Sequence, residues 1–392
     1  MILQLFDFFN WQMPLSLSYV STRMILSAMT ALICMLFFGP RFIKKLYELK
    51  MGQSIRVEDC PLLAELHKKK KETPTMGGLL ILASMLFSLF LWMDLKDADT
   101  LLLFFTTVTL GLIGGYDDFL KLKYKNSKGL SAKLKFGLQL AVSSLIALYL
   151  LCPSVTEVLH MGDFFAPPVA KMGMQVFSTQ GYMALNYLPF FKDPILVLQG
   201  SLIIFSFLWL VFVITGSSNA VNLTDGLDGL ASGCLILVAF VFALVAFLSN
   251  NSEMARYLNI LYIENSGEIA IYLSAMIGAL IGFLWYNGYP AQVFMGDTGS
   301  LALGGIIAVA AILLRKEMLL SIVGGIFVVE ALSVILQVGS YRLRNRRRIF
   351  LCAPLHHHFE YRGWPETKVV LRFWIVGLLL AMIGLISLKL QS

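Results

Sequence analysis

Long apolar stretches dominate this sequence and constrain its fold more than any other feature. A helix needs about 20 mostly apolar residues to cross a membrane, and ten stretches meet or approach that length. They lie at residues 20–40, 75–94, 99–115, 131–151, 195–215, 228–249, 268–286, 299–315, 318–340 and 368–390. We therefore predict an all-α polytopic membrane protein with about ten transmembrane helices, forming a single integral membrane domain over residues 1–392.

The composition agrees with a chain that mostly faces lipid. Hydrophobic residues make up 58% of the sequence and charged residues 14%, whereas a soluble domain carries about 25% charged residues. The net charge of +7 could suggest nucleic acid, but the charges cluster in short loops between apolar stretches. That distribution favours the anionic inner leaflet of a membrane and phosphate ligands, and we predict no nucleic-acid partner.

Lysine and arginine are concentrated in loops that would face one side of the membrane. Loops 41–74, 116–135 and 341–367 carry nine, six and six of these residues, and the opposite side carries seven. Because loops rich in lysine and arginine stay in the cytoplasm, we predict that both termini are extracytoplasmic. The segment 152–194, rich in Pro, Gly and aromatic residues, is then an extracytoplasmic loop or hairpin.

Polar clusters fall in all five predicted cytoplasmic loops or at the adjoining helix ends. They are Lys68–Gly78, Gly114–Lys121, Asn219–Leu230, Asn287 with Phe294–Ser300, and Pro354–Glu360. Their accumulation on one side predicts a site that faces the cytoplasm. A secondary transporter would place such groups near the middle of the bilayer, so that class is a remote alternative.

The first two clusters place lysines beside a helix end. Lys68–Lys71 precede Thr75, where a helix N-terminus can bind phosphate, although the lysines could be a topology signal alone. Asp117 and Asp118 are adjacent at the inner end of a membrane helix, where carboxylates are costly unless paired or used. Asp117 and Lys121 share a helix face. The two aspartates with Lys121 indicate a metal site, or a general base beside a lysine that binds phosphate, or only a surface ion pair.

The third cluster places four amide or carboxylate side chains at three-residue spacing in a predicted loop. They are Asn219, Asn222, Asp225 and Asp228. A helix start needs one N-cap, which Asp225 would supply, so capping alone does not explain four such residues. The intervening Gly226 would allow a ligand to approach the backbone closely. The cluster therefore predicts a binding loop for a polar substrate.

The remaining polar residues are an aspartate at a helix start, three adjacent histidines and two groups inside a span. Asp297 lies at the predicted cytoplasmic start of the eighth span, where a carboxylate can hold Mg²⁺ while backbone amides hold phosphate; a simple helix cap is the alternative. His356–His358 cannot all ligate one tetrahedral Zn²⁺, so we favour hydrogen bonding to a polar substrate. Glu330 and Gln337 share a face of the ninth span. Polar side chains inside a membrane either belong to a functional site or form hydrogen bonds with neighbouring helices.

The polar clusters together contain carboxylates, amides and lysines and include glycine-rich helix starts. They contain no nucleophilic arrangement of serine or cysteine. Such a set is typical of Mg²⁺-assisted phosphoryl transfer, in which the protein positions phosphates and neutralises their charge. The P-loop motif of nucleotide hydrolases is absent from the sequence, so ATP hydrolysis is not indicated.

The sequence resembles the phospho-N-acetylmuramoyl-pentapeptide transferase family, a branch of the polyprenyl-phosphate N-acetylhexosamine-1-phosphate transferases. The resemblance covers nearly the whole chain and rests on Thr73–Gly78, Gly115–Lys121, Asn219–Ala231, Phe294–Gly305 and Pro354–Glu360. The last stretch points to this branch, because relatives that transfer GlcNAc-1-phosphate typically carry a different pattern there. Those relatives are the alternative family.

The resemblance implies a reaction and its surroundings. UDP-MurNAc-pentapeptide and undecaprenyl phosphate would give lipid I and UMP with Mg²⁺ as the cofactor. The enzyme would be a multi-pass homodimer among the lipids of a bacterial plasma membrane, with its active site facing the cytoplasm. Either the lipid phosphate attacks the donor directly, which we favour, or a carboxylate attacks first and forms a phosphoryl-enzyme intermediate.

The resemblance also implies roles for individual residues. Asp297 would be the Mg²⁺ ligand, Asp117 the base for the lipid phosphate with Asp118 beside it, and His356 an essential histidine. The implied phosphate-binding lysines are Lys70, Lys121 and Lys133, and the other implied substrate-binding residues are Thr75, Asn219, Asn222, Asp225, Asp228, Asn287, Phe294, Gln337 and His357, with Phe294 stacking on uracil.

Overall fold

The structure is a computed structural model that describes residues 14–49, 73–95, 97–124, 129–152, 164–165, 176–344 and 346–390. Within these residues the helices, in chain order, are α1 Leu15–Ser18, α2 Val20–Glu48, α3 Gly77–Trp92, α4 Ala98–Lys123, α5 Ala132–Leu151, α6 Thr179–Met183, α7 Ile203–Thr224, α8 Leu230–Ser249, α9 Ser252–Leu258, α10 Ser266–Asn287, α11 Gly296–Leu313, α12 Glu317–Val323, α13 Gly325–Leu343, α14 Leu355–Tyr361 and α15 Glu366–Lys389.

Sheet structure in the described chain is confined to two antiparallel pairs of two-residue strands. Strand β1 (Phe164–Phe165) pairs with β2 (Val176–Phe177), and β3 (Leu185–Asn186) pairs with β4 (Leu196–Val197). Both pairs fall in or just after the predicted extracytoplasmic segment 152–194, much of which lies outside the described residues. Its position outside the membrane stays a prediction.

Nine helices in the described chain are long and apolar enough to cross a membrane, and α3 is equally apolar but has 16 residues. The prediction of an all-α polytopic membrane protein with about ten spans is confirmed. The side chain of Asp97 caps α4 and that of Ser131 caps α5, so local capping as well as apolar length sets where these helices begin.

Several helix ends differ from the prediction. Helix α4 continues through Asp117 and Lys121, and α7 continues to Thr224. The prediction of a loop from residue 219 to residue 230 is therefore wrong, and Asp225 follows the end of α7 instead of capping the start of α8. The polar side chains near these helix ends do not interrupt the helices, because they form hydrogen bonds and ion pairs with neighbouring helices. The predicted ninth span is divided at Gly324 into α12 and α13.

Helices α10 and α11 form the centre of the bundle. In their apolar stretches, 78% of the residues of α10 and 89% of those of α11 are buried. Small residues permit this packing, because a Cβ added at Gly278 would collide with the backbone of Ala28 in α2, and one at Gly304 would collide with Ser217 in α7. Close approach of helices through small residues is typical of membrane proteins, where lipid supplies little hydrophobic drive for association.

The described chain begins and ends at the same end of the bundle. Near the start of α2, Arg23 forms a 2.6 Å ion pair with Glu268 near the start of α10. At the end of α15, Lys389 donates to the carbonyl of Tyr257, in the connection that leads to α10. The opposite end carries the C-terminal part of α4 and the N-terminus of α11. Which end faces the cytoplasm stays a prediction.

Candidate active site

Three carboxylates converge where the end of α4 meets the start of α11. Oxygen atoms of Asp117, Asp118 and Asp297 lie within 4.8 Å of one another. Asp117 and Asp118 are buried and Asp297 is half-buried. The two helices approach this closely because Gly114 has no side chain: a Cβ there would collide with the carbonyl group of Asp297.

Two lysines neutralise much of this negative charge. The Lys121 ammonium lies 2.6 Å from Asp117 Oδ2 and 2.6 Å from Asp297 Oδ2. The Lys135 ammonium, from α5, also lies 2.6 Å from Asp297 Oδ2. The prediction that Asp117 and Lys121 share a helix face is confirmed by their ion pair. Asp297 thereby joins α4, α5 and α11 through its carboxylate.

The other oxygen of Asp297 is also held. Asn222, on α7, donates from Nδ2 to Asp297 Oδ1 at 2.6 Å and contacts Ser300 Oγ at 2.8 Å. Because both Asp297 oxygens have partners from other helices, the orientation of this carboxylate is set by the surrounding bundle and not by its own backbone alone.

Asp118 caps the N-terminus of α11. Its carboxylate accepts the backbone N–H groups of Asp297, at 3.2 Å, and Thr298, at 2.9 Å, as well as the Thr298 hydroxyl at 2.7 Å. An anion at this position stabilises the free amides and the positive dipole end of the helix. Gly296, just before, has φ +74 and leaves room for Asp118 and for Thr75. Asp118 therefore positions Asp297.

The cluster of three carboxylates could bind a divalent cation. Oxygen ligands are those that Mg²⁺ prefers, and this is the one cluster of at least three candidate metal ligands in the described part of the chain. Asp117 Oδ2 is buried and accepts no hydrogen bond within the described residues, although the Lys121 ammonium lies 2.6 Å away. If all three carboxylates are ionised, they exceed the charge of Lys121 and Lys135 by one. A cation beside Asp117 and Asp297 would supply the missing positive charge.

Backbone pairing joins the first and fourth polar clusters. Phe294 N–H donates to the carbonyl of Pro74, and the N–H groups of Gly77 and Gly78 donate to the carbonyls of Phe294 and Met295, each at 2.8 Å. The side chain of Phe294 is half-buried. This pairing brings two clusters that are distant in sequence to the same end of the bundle.

Side chains from the third and fourth clusters fix the turn between α7 and α8. Asn287 Oδ1 accepts the Gly229 N–H at 3.0 Å, while its Nδ2 donates to the Val293 carbonyl at 2.9 Å. Asp228 Oδ2 accepts the Ala291 N–H at 3.0 Å. Asp228 and Asn287 thus support two loops of the site, and direct contact of either residue with a substrate stays a prediction.

Asp225 lies half-buried at the start of the same turn. Burial, and then the negative charges of Asp297 and Asp118, raise the pKa of the Asp225 carboxyl to about 7. A carboxyl with this pKa changes its charge near neutral pH, so a bound cation or a hydrogen-bond donor would favour its ionised form.

The three adjacent histidines have three different partners. His356 Nδ1 lies 3.1 Å from Glu330 Oε2, and His357 Nδ1 lies 2.7 Å from Glu360 Oε2. His358 Nδ1 accepts the Leu351 N–H at 3.1 Å. Burial and the nearby Arg362 lower the pKa of His358, in agreement with a neutral ring. His356 is fully buried beside Gly226, which joins the last cluster to the turn between α7 and α8.

Comparisons with known proteins agree with this arrangement. Residues 100–315, more than half of the chain, match the family model for glycosyl transferase family 4, and residues 70–82 match phospho-N-acetylmuramoyl-pentapeptide-transferase signature 1. A phospho-N-acetylmuramoyl-pentapeptide-transferase of Protochlamydia amoebophila (strain UWE25) is 62% identical over 395 residues, covering 97% of this chain and 96% of the relative. This chain belongs to the phospho-N-acetylmuramoyl-pentapeptide-transferase family.

As a member of this transferase family, the chain places most of its expected site residues at one end of the bundle. Asp117, Asp118, Lys121, Asn222 and Asp297 are in direct contact, and Thr75 adjoins them through Gly296. Lys70 lies outside the described residues. The predicted resemblance to this family is confirmed, while the role of each residue stays a prediction.

Two of the side chains expected to bind substrate in this transferase make contacts within the protein. Gln337 accepts the N–H groups of Ile349 and Phe350 and donates to the Phe350 carbonyl, so its amide holds the chain that leads to the histidines. Asn219 donates to Gln139 Oε1 and to the Thr215 carbonyl. The Asn219 NH₂ group and the Gln337 oxygen would have to exchange a partner to bind a substrate, and the predicted roles of both residues stay predictions.

The structure places beside Asp297 a lysine that the sequence analysis did not select, while a role for Lys133 in binding phosphate stays a prediction. Lys133 is exposed on α5, whereas Lys135, which the sequence analysis counted only among the loop charges, contacts Asp297. The polar residues Lys135, Gln139 and Ser143 recur every fourth position on a mostly apolar helix. That spacing marks one helix face and was the available signal for choosing Lys135.

Proposed function

We propose that this chain transfers phospho-MurNAc-pentapeptide from UDP-MurNAc-pentapeptide to undecaprenyl phosphate, giving lipid I and UMP. The proposal is supported by the 62% identity to a relative of that transferase name over nearly the whole chain. It is supported independently by the carboxylate and lysine cluster around Asp297, where phosphates can be positioned and neutralised at a helix N-terminus.

We propose that the cofactor is Mg²⁺ and that Asp297 would hold it, with Asp117 beside it. Bound there, the ion would neutralise the diphosphate of the donor and favour departure of UMP. Asp118 keeps Asp297 in place by capping α11. Lys121 and Lys135 lie within reach of the same site and would exchange part of their contact with Asp297 for contact with phosphate oxygens.

In the proposed reaction the lipid phosphate attacks the β-phosphorus of the donor directly. Asp117 accepts a proton from the lipid phosphate where one is present, and the bond between the two donor phosphates breaks to release UMP. Asp117 suits this role because its Oδ2 accepts no hydrogen bond within the described residues and Lys121, 2.6 Å away, can bind the phosphate oxygens. A lipid phosphate is already a competent nucleophile once oriented, so positioning and charge neutralisation supply most of the catalysis.

We further propose that the site faces the cytoplasm of a bacterial plasma membrane and that the enzyme is a homodimer. The excess of lysine and arginine in the loops at the site's end supports this orientation, and the dimer is an expectation from the family resemblance.

Donor preference tests the proposed function against its nearest rival. The purified full-length protein is incubated with undecaprenyl phosphate, Mg²⁺ and either UDP-MurNAc-pentapeptide or UDP-GlcNAc, and UMP and the lipid product are followed by mass spectrometry. We expect lipid I and UMP in equal amounts from the first donor and little product from the second. Efficient transfer from UDP-GlcNAc would instead assign the chain to GlcNAc-1-phosphate transfer.

A further inference from the structure

Glu330 is a carboxylate inside a membrane span and has no exposed surface. Such a group is costly in a membrane unless it is paired or used. Both of its oxygens face one residue: Oε1 accepts the backbone N–H of His356 and Oε2 lies 3.1 Å from His356 Nδ1. The carboxylate therefore fixes both the backbone and the ring of His356.

The contact determines which ring nitrogen of His356 carries the proton. Because an ionised carboxylate can only accept hydrogen bonds, we assign the proton of a neutral His356 ring to Nδ1, as the donor to Glu330. His358 has the opposite arrangement, because its Nδ1 accepts the Leu351 N–H and a neutral ring then has its proton on Nε2. Two neighbouring histidines are thus held as different tautomers by different partners.

The second ring nitrogen of His356 faces the turn between α7 and α8. His356 Nε2 is buried and has no hydrogen-bond partner in the described chain. It lies over Gly226, where any side chain would collide with it, and Gly226 belongs to the turn that begins with Asp225. A buried polar atom without a partner carries a free-energy cost that a ligand can remove.

We propose that Glu330 is a positioning residue that holds His356 with its proton on Nδ1, so that Nε2 accepts a hydrogen bond from the nucleotide-sugar. The matching group on that substrate is a hydroxyl or an N–H. Carboxylate partners that fix the tautomer of a working histidine occur in metal sites and in hydrolases. The effect on turnover rests on the proposed function, whereas the tautomer can be measured without substrate.

Glu330→Gln separates this role from simple helix packing. An amide has nearly the same shape but offers one acceptor oxygen for two N–H groups. The backbone N–H of His356 cannot lose its proton, so it takes the oxygen, and the NH₂ group then donates to Nδ1. The proton of the ring must move to Nε2, and the substrate faces a donor in place of an acceptor.

The experiment measures the tautomer and the turnover in the same protein. In ¹⁵N-histidine-labelled protein, solid-state NMR should show His356 with protonated Nδ1 in the parent and protonated Nε2 in Glu330→Gln, with the signal assigned by its loss in His356→Ala. Turnover of Glu330→Gln should fall about 100-fold or more. Added to His356→Ala, the same substitution should cause little further loss.

Two further variants keep the test decisive. Ser333→Ala removes a buried hydroxyl one turn away that donates to the backbone carbonyl of Glu330 and leaves the Glu330 carboxylate untouched, and it should keep the parent's turnover and spectrum. Glu330→Asp keeps the carboxylate and should restore the Nδ1 proton with part of the turnover, even if Glu330→Gln folds poorly. An unchanged His356 tautomer in Glu330→Gln, or turnover close to the parent's, would overturn the proposal.

Discussion

At the scale of single residues, the site depends on how charge is balanced around Asp297. Its carboxylate contacts ammonium groups from α4 and α5 and an amide from α7. Charged groups that leave water near the end of a membrane bundle must be paired, because an isolated charge there is costly. The same pairing keeps lysines close to the position where phosphates would bind, and this makes Asp297 and its partners sensitive to substitution.

Removing the charge of Asp297 should abolish most of the turnover. Asp297→Asn keeps the size of the side chain but weakens cation binding and both lysine contacts, so we expect a fall of about 10³-fold or more in UMP release. Asp99→Asn is the control, because Asp99 is also an aspartate in the bundle, is buried, and lies at the other end of α4. Near-parental rates in Asp297→Asn at saturating Mg²⁺ would remove Asp297 from the reaction.

The two lysines of α5 provide a matched pair. Lys135→Gln should reduce turnover about 10²-fold, because the lost ammonium contacts Asp297. Lys133→Gln should cause a much smaller loss, because Lys133 is exposed. Initial rates over a range of donor concentrations decide between them. Equal losses in the two variants would show that the orientation of α5 described above is incorrect.

The choice between Lys133 and Lys135 also shows what the sequence could predict. The residue types and their order in the motifs were enough to select the clustered residues, because the spacing within a motif can be read from the sequence. These residues are Asp117, Asp118, Lys121, Asn222 and Asp297. Which of two nearby lysines faces the site depends on the rotation of α5 about its axis, which packing against α7 determines. Likewise, the use of Gln337 to hold Phe350 depends on how a distant loop returns to α13.

At the scale of elements, the site exists because α4 and α11 cross at close range. Their contact is possible at Gly114, which touches the backbone of Asp297, and it is locked by Asp118 at the start of α11. Sequence patterns predicted the helices themselves but ended α4 and α7 too early. Polar residues near a helix end resemble a loop in sequence, whereas here they continue the helix and bond to neighbouring helices.

Adjacent glycines test this crossing. In Gly114→Ala the new Cβ would collide with the backbone of Asp297, so α4 and α11 must separate, at a cost of about 1–3 kcal/mol. In Gly115→Ala the nearest atom of Thr298 is 3.6 Å away, an ordinary contact. Thermal unfolding and turnover should both be impaired in Gly114→Ala and nearly normal in Gly115→Ala. Equal behaviour of the two variants would contradict the described crossing.

At the scale of the whole molecule, the proposed function requires the polar end of the bundle to face the cytoplasm. In a cysteine-free background, Lys123→Cys and Arg348→Cys should resist a membrane-impermeant maleimide on intact cells, whereas Met254→Cys should react. All three side chains are exposed on the protein. In intact cells, labelling therefore depends on the side of the membrane on which each cysteine lies. Labelling of Lys123→Cys from outside would reverse the proposed orientation.

The fate of the two donor phosphates tests the central claim most directly. The purified protein receives undecaprenyl phosphate, Mg²⁺ and UDP-MurNAc-pentapeptide labelled with ³²P at either the α- or the β-phosphate. Transfer of the phosphorylated sugar predicts that the β label enters the lipid product while the α label stays in UMP. If both labels remained water-soluble as UDP while sugar reached the lipid, the enzyme would transfer the sugar without its phosphate, and the account would be contradicted.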